Sequence, residues 1–229
     1  MSAIQSSTLD FLKKLNQNNN RDWFTENKTA FQEEQIKFVN FADDLLVEMN
    51  KIDNIETVSG KKSVFRIYRD VRFSKDKTPY KTHFSGSFKR ATEQLRGGYY
   101  YHIEPGNSFI GGGFWGPNAK DLLRIRKELA NDAIELREII NSESFIKTFR
   151  TLDGERLKTV PRGFDRQHPN LDLLQLKQFI VHKKFSDKEV LSKDFPKKVI
   201  ETFIAMRPFF NFMSSVLTTD ENGVPLYQE

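Results

Sequence analysis

Apolar positions near the start of the chain repeat at helical spacing. Leu9, Phe11, Leu12 and Leu15 predict a short amphipathic helix from Ser6 to about Asn16, with Ser7 or Thr8 as its N-cap. The polar run Asn16-Gln17-Asn18-Asn19-Asn20 ends it. A second helical stretch runs from about Arg21 to Lys51. Its apolar residues Trp23, Phe24, Phe31, Phe38, Phe41, Leu45, Leu46 and Met49 keep a period near 3.6 over the second half. From about Ser63 the period changes to two. Over 64–73, Phe65, Ile67, Arg69, Val71 and Phe73 fall on one face, with Arg66, Tyr68, Asp70 and Arg72 on the other, which predicts a strand. Further strands are predicted over 83–89, 98–103, 108–115 and 178–185, with Glu104-Pro105-Gly106-Asn107 as a hairpin turn.

Helical spacing returns at about Asn118, where Leu122, Leu123, Ile125, Leu129 and Ile134 line one side through Asn141. A short helix covers 142–150. The segment 151–169 holds Gly154, Pro161, Gly163 and Pro169 and is expected to be an ordered loop. Asn170 caps a short helix carrying Leu171, Leu173, Leu174 and Leu176, and more helix follows over about 188–217. Residues 218–229 are expected to form a tail, frayed from Glu221 to Glu229. No linker, repeat or low-complexity run divides the chain. The expectation is a single α+β domain over 1–229, with its core at about 7–217: an antiparallel sheet of about five strands flanked by N-terminal, central and C-terminal helices.

Composition narrows the function classes. The chain of 229 residues has 21 Phe against 6 Tyr and 2 Trp, so aromatic side chains should dominate the core. No apolar run approaches the ~20 residues of a membrane helix, and no membrane partner is expected. Residues 1–8 lack the basic start and apolar stretch of a secretion signal. There is no cysteine, which removes thiolate ligands and thiol nucleophiles and fits a reducing cytoplasm, the expected location. No cofactor motif is identified, and the sequence does not decide whether the chain is an enzyme.

Charge is unevenly placed. Residues 61–90 hold ten Lys and Arg against Asp70 and Asp76, a local balance of +8 in a chain of net +5. The first 60 residues hold six cations and ten acids. Cations alternating with aromatics in a fixed geometry suit phosphate or carboxylate. Arg66 and Arg72 flank Tyr68 on one predicted face, and Arg offers planar bidentate donors. Lys75, Lys77 and Lys81 follow on a loop. The candidate ligand-binding residues are Arg66, Tyr68, Arg69, Arg72, Lys77, Tyr80, Lys81 and His83. The alternative is structural: Arg69, Asp70 and Asp76 lock strand to loop, and the lysines are solvated.

Other constellations are weaker. Asp70, Asp76, His83, His102 and Glu104 are the nearest donors for a metal, but their spacing matches no recognised ligand set and neighbouring cations oppose it, so no metal is expected. Gly111-Gly112-Gly113 fits neither a P-loop nor a dinucleotide fingerprint and is read as close packing of a strand. His168 is a candidate general acid or base that is more often structural.

The block from Phe65 to Lys81 closely resembles the signature of a family catalogued as domain of unknown function 2461. The resemblance extends to Gly112-Gly113-Phe114-Trp115, to Arg124 and Arg126, to Pro161-Arg162-Gly163-Phe164-Asp165 with His168-Pro169, and to 173–179 with Lys177. These blocks run in order from about Leu9 to Leu217. The resemblance implies a soluble, mostly bacterial and fungal family, and it brings no catalytic residues to carry over.

Three functions follow from the residues. The first is binding of a phosphate- or carboxylate-bearing small molecule, with or without catalysis. The second is a nucleic-acid module in which the same cations track phosphates; it is disfavoured by the acidic first 60 residues. The third is a protein-interaction or scaffold domain whose basic block forms internal salt bridges to the acidic N-terminal helices. Oligomeric state is not addressed by the sequence.

Overall fold

A computed structural model describes residues 1–220 and 224–226. In chain order its elements are α1 (Ser6–Gln17), α2 (Arg21–Glu26), α3 (Lys28–Met49), α4 (Gly60–Ser63), β1 (Phe84–Lys89), β2 (Gly98–Ile103), β3 (Ser108–Phe114), α5 (Ala119–Asn131), α6 (Ile134–Asn141), α7 (Glu143–Phe149), α8 (Leu171–Leu174), β4 (Phe179–Phe185), α9 (Asp187–Val190) and α10 (Phe195–Thr218). The strands form one antiparallel sheet in the order β1-β2-β3-β4, flanked by helices, so the chain is α+β.

The sheet has four strands among the described residues, not about five. The segment 64–73 is the missing one. It makes only two single bridges, Val64 with Gly86 and Tyr68 with Tyr80. Three backbone bonds hold this arm: Phe65 N–H to Ser85, Arg69 N–H to Pro79 and Lys81 N–H to Ile67. Pro79 has no N–H to continue the ladder. Asp70 and Asp76 side chains accept from the Arg72 and Thr78 amides, so the backbone bonds locally instead of pairing as a strand.

Helix ends differ from the periodicity for similar reasons. The stretch 21–51 divides at Asn27, whose side chain donates back to the Trp23 carbonyl. The stretch 118–141 divides where Asp132 accepts from the Ile134 amide. Gln5, not Ser7 or Thr8, stands at the N-cap of α1, and Thr8 is buried facing Glu34. Asn118 and Ser142 cap α5 and α7 with their side chains, and Ser186 forms a capping box with Glu189. The Glu104 to Asn107 turn closes with an Asn107 N–H to Glu104 bond of 2.9 Å. Of the expected tail, Thr218 ends α10 and Thr219 bridges Pro225, while 221–223 and 227–229 lie outside the described residues.

Two compact units make up the chain. The first comprises residues 1–88, 100–110 and 184–201. Its core is aromatic: Phe38 stacks on Phe84, Phe41 on Phe195, and Phe88 meets Tyr101 at 5.2 Å. Tyr101 is fully buried, and its hydroxyl is satisfied by Ser63 at 2.5 Å. A side chain at Gly86 would overlap that hydroxyl, so the residue beneath it must be glycine. Between α1 and α3, buried Glu34 accepts from Thr8 and Lys37, both at 2.7 Å.

The second unit comprises 89–99, 111–183 and the chain from Thr202. Tyr99 lies 5.0 Å from both Phe203 and Phe210. Arg90, 1% exposed, donates to Arg96 O, Ser214 and Asn211 and lies over the Phe210 ring. Arg126 donates to the Leu174 carbonyl at the end of α8 and to the Leu176 carbonyl just after it. Gly113 has φ +134°, and a Cβ there would overlap the Phe179 carbonyl oxygen, which is the close packing expected of the glycine run.

Candidate functional site

The basic arm, 64–83, lies in the first unit and is fastened at both ends. At its base Tyr80 is buried and stacks on Phe24 at 3.9 Å. Asn19 clasps the Tyr80 backbone twice: its Nδ2 donates to the carbonyl at 2.9 Å, and its Oδ1 accepts from the amide at 3.1 Å. The polar run read only as a helix stop therefore contains the anchor of the arm, and Asn20 caps α2.

The arm's cations divide into two groups. Arg69 is 2.5 Å from Asp76 and also donates to Thr78, bracing the turn. Asp76 is held at about 2 by the Thr78 amide first, then by Arg69 and the Thr78 hydroxyl. Arg72 forks onto Asp70 through Nε at 2.9 Å and Nη2 at 2.7 Å. These pairs are the internal lock of the structural alternative, with partners within the arm. Of the remaining cations, Lys77 and Lys81 bond to backbone. Lys77 donates to the Val71 carbonyl, and Lys81 donates to the Arg66 carbonyl at 2.9 Å and lies over the Phe65 ring. Among the described residues, Arg66, Lys75, Lys77 and Lys81 form no ion pair. Burial, then Arg66, lowers the affinity of the Lys81 amine for its proton. Tyr68 is about half exposed, and Phe73 is 96% exposed.

His83 leaves the arm and joins a different group. Tyr100, His102 and Glu104 follow one another at period two on β2 and its end, while Tyr99, Tyr101 and Ile103 point into the apolar interior. His83, just ahead of neighbouring β1, lies against the His102 ring with centroids 4.0 Å apart. Phe109 of β3 stacks on the same ring at 4.7 Å. The His102 Nδ1 is 3.0 Å from the Tyr100 hydroxyl, and its Nε2 is 3.2 Å from Glu104 Oε2. Glu104 also accepts from Thr82 at 2.7 Å and Asn107 at 2.8 Å. One nitrogen of each imidazole and one Glu104 oxygen lie within 4.8 Å of one another.

Electrostatics set the protonation states. Burial, then the His102 ring, pushes His83 down to about 4, against the pull of Glu104. Burial also lowers His102, outweighing its bond to Glu104. Burial raises Glu104, but the bonds from Thr82, Asn107 and His102 outweigh it and hold the carboxyl below its usual range. Neutral imidazoles beside a carboxylate are the result near neutrality.

Spacing along the sequence and the neighbouring cations argue against His83, His102 and Glu104 as a ligand set. Linear spacing misses a set assembled across two neighbouring strands. The visible signal was the alternation of Tyr100, His102 and Glu104, with Thr82 and Asn107 at the two turns. His168 is occupied elsewhere, its Nε2 facing the Ala130 carbonyl and its Nδ1 accepting from the Asn170 amide.

Among the described residues, no helix is long and apolar enough to cross a membrane. No curated protein and no solved structure gives a significant match to the chain. The family described as Conserved hypothetical protein (DUF2461) matches residues 7–212, nearly the whole length, including the basic arm and the His83, His102 and Glu104 cluster, and the chain belongs to that family.

Proposed function

We propose that the arm binds a small phosphate- or carboxylate-bearing molecule beside Arg66 and Lys81. The observation that carries this reading is that the Arg66 charge acts on the Lys81 ammonium while neither cation forms an ion pair among the described residues. Lys81 is partly buried, and its ammonium is kept beside Arg66 on a single backbone oxygen. Holding two cations together costs free energy, which a bound anion offsets. Tyr68 bridges Tyr80, next to Lys81, and His83 follows Lys81 by two residues, while Arg69, Arg72 and Tyr80 keep the arm in shape. Whether the bound molecule is also transformed is a separate question, to be asked once its class is known.

The test is a thermal-shift panel of inorganic phosphate, nucleotides, sugar phosphates and dicarboxylates at low and moderate salt. A ligand at 100 times its dissociation constant adds about 2.7 kcal/mol. For a chain of this size that is a rise of about 5–10 °C. We expect one anion class to give such a shift, and Arg66→Ala to remove it. A shift that Arg66→Ala leaves intact overturns the assignment. One feature favours a second reading: the exposed Phe73 ring with Arg72 5.9 Å above it could stack on a nucleobase. Short oligonucleotides in the same panel separate the two, since binding through several phosphates falls steeply with salt.

A further inference from the structure

We propose that His83, His102 and Glu104 form a binding site for one divalent first-row transition-metal ion. The inference goes beyond anion binding by the arm and rests on different side chains. Two donors each about 2.1 Å from one ion and at 90–110° to each other lie about 3.0–3.4 Å apart. His102 Nε2 and Glu104 Oε2 are 3.2 Å apart. His83 supplies the third donor from the adjacent strand end, the three residues each offering one donor atom within 4.8 Å of the others.

The surroundings are those of a metal site. A ligating imidazole is fixed through its other nitrogen, and a ligating carboxylate through hydrogen bonds from its neighbours. His102 Nδ1 meets the Tyr100 hydroxyl, and Glu104 accepts from Thr82 and Asn107. In the metal-free chain, the bond to Glu104 places a proton on His102 Nε2. Ion binding displaces that proton to solvent or to Nδ1. Tyr100 accommodates the second course, because its hydroxyl can accept from Nδ1–H and donate to Ser85, with which it also bonds. Phe109 covers the face of the ring and limits water.

Two imidazoles and one carboxylate favour ions such as zinc, iron(II), cobalt(II) or nickel(II) over magnesium and calcium, which prefer oxygen. Three protein donors leave coordination positions for water or an anion. Lys81 is the nearest opposing charge. Its ammonium is drawn to the Arg66 carbonyl and the Phe65 ring.

The test uses the full chain, stripped with a chelator and titrated with Zn²⁺, Co²⁺, Ni²⁺ and, without oxygen, Fe²⁺. We expect one equivalent bound, seen by calorimetry, with Co²⁺ giving the visible absorption of a nitrogen–oxygen site. Glu104→Gln keeps the side-chain shape and His83→Ala removes a donor; each should weaken binding at least tenfold. Thr82→Val, which touches only Glu104, should weaken it about 10–100-fold. His182→Ala, at the separate His182–Asp153 pair, should leave it unchanged. Circular dichroism of the stripped variants checks that each is folded. Binding that survives both Glu104→Gln and His83→Ala, or no binding of any of the four ions, overturns the proposal. Arg66→Ala should leave metal binding intact, so failure of the anion reading and failure of this one are distinguishable.

Discussion

Replacing Asn19 by alanine tests whether a residue distant in sequence holds the basic arm in place. The change removes a donor to the Tyr80 carbonyl at 2.9 Å and an acceptor for its amide at 3.1 Å. Tyr80 is 5% exposed, so its backbone groups are poorly placed to find water instead. A hydrogen bond contributes about 1 kcal/mol net, and a stranded buried group costs about 1–3 kcal/mol. With the Phe24 stack still attracting Tyr80, the expected loss is about 2 kcal/mol, a fall of about 4–8 °C in melting temperature. Equilibrium urea unfolding measures the global loss. Hydrogen exchange locates it: the Arg69 and Lys81 amides, which pair across the arm, should lose protection beyond the global change. Because Lys81 directly follows Tyr80, phosphate affinity should fall as well. Asn18→Ala is the control, since Asn18 is exposed and bonds only its own helix end. Equal stability of the two variants, with unchanged exchange at Arg69 and Lys81, would refute the anchoring argument.

The other predictions concern the buried acid and the arm pairs. Glu34→Ala should cost about 2 kcal/mol at pH 7, because buried Thr8 loses its acceptor. Burial raises the Glu34 pKa, but bonds from Lys37, Thr8 and Ser7 leave it below its ordinary value. A lowered folded-state value contributes stability that is fully present above the free glutamate pKa of about 4.3 and is lost as pH falls below it. Urea unfolding from pH 7 to 3 should therefore show wild type and Glu34→Ala converging on the acid side; a constant gap would contradict the shift. Arg69→Ala should destabilise the chain by about 1 kcal/mol, since Arg69 is 27% exposed and binds both Asp76 and Thr78. Arg72→Ala, at 76% exposure, should stay within about 0.5 kcal/mol. Scanning fluorimetry ranks the two, and the reverse order would count against the bracing role.

Much of the fold was legible because the chain changes its hydrophobic period where the structure changes element. Four of the five expected strands are present at nearly the predicted ends, and the triple glycine packs as a strand. The fifth failed at 64–73 because alternation describes a face and not a partner. A strand needs a free backbone on one side, and here Asp70 and Asp76 take up the amides of Arg72 and Thr78. The short spacing from each acid to its amide, with Pro79 beyond, was a readable turn signal. The division of 21–51 at Asn27 was harder to see, because one asparagine among helix formers is a weak stop.

The candidate site shows the same limit in another form. Charge density draws attention to Arg66, Arg69, Arg72, Lys77 and Lys81, but it cannot separate a cation paired within the arm from one that is not. That distinction depends on where the acids sit. Asp76 lies back across the turn to Arg69, and Asp70 lies two residues from Arg72, so the two acids form their ion pairs with those guanidiniums and not with Arg66 or Lys81. The acids that brace the arm are thus the same ones that decide which of its cations are ion-paired. His83 belongs to both stories, being next to Lys81 by sequence and next to His102 by strand pairing. A period-two reading of 100–104 gives one face of that second cluster; the neighbouring strand, which supplies the rest, becomes visible only when the sheet order is known.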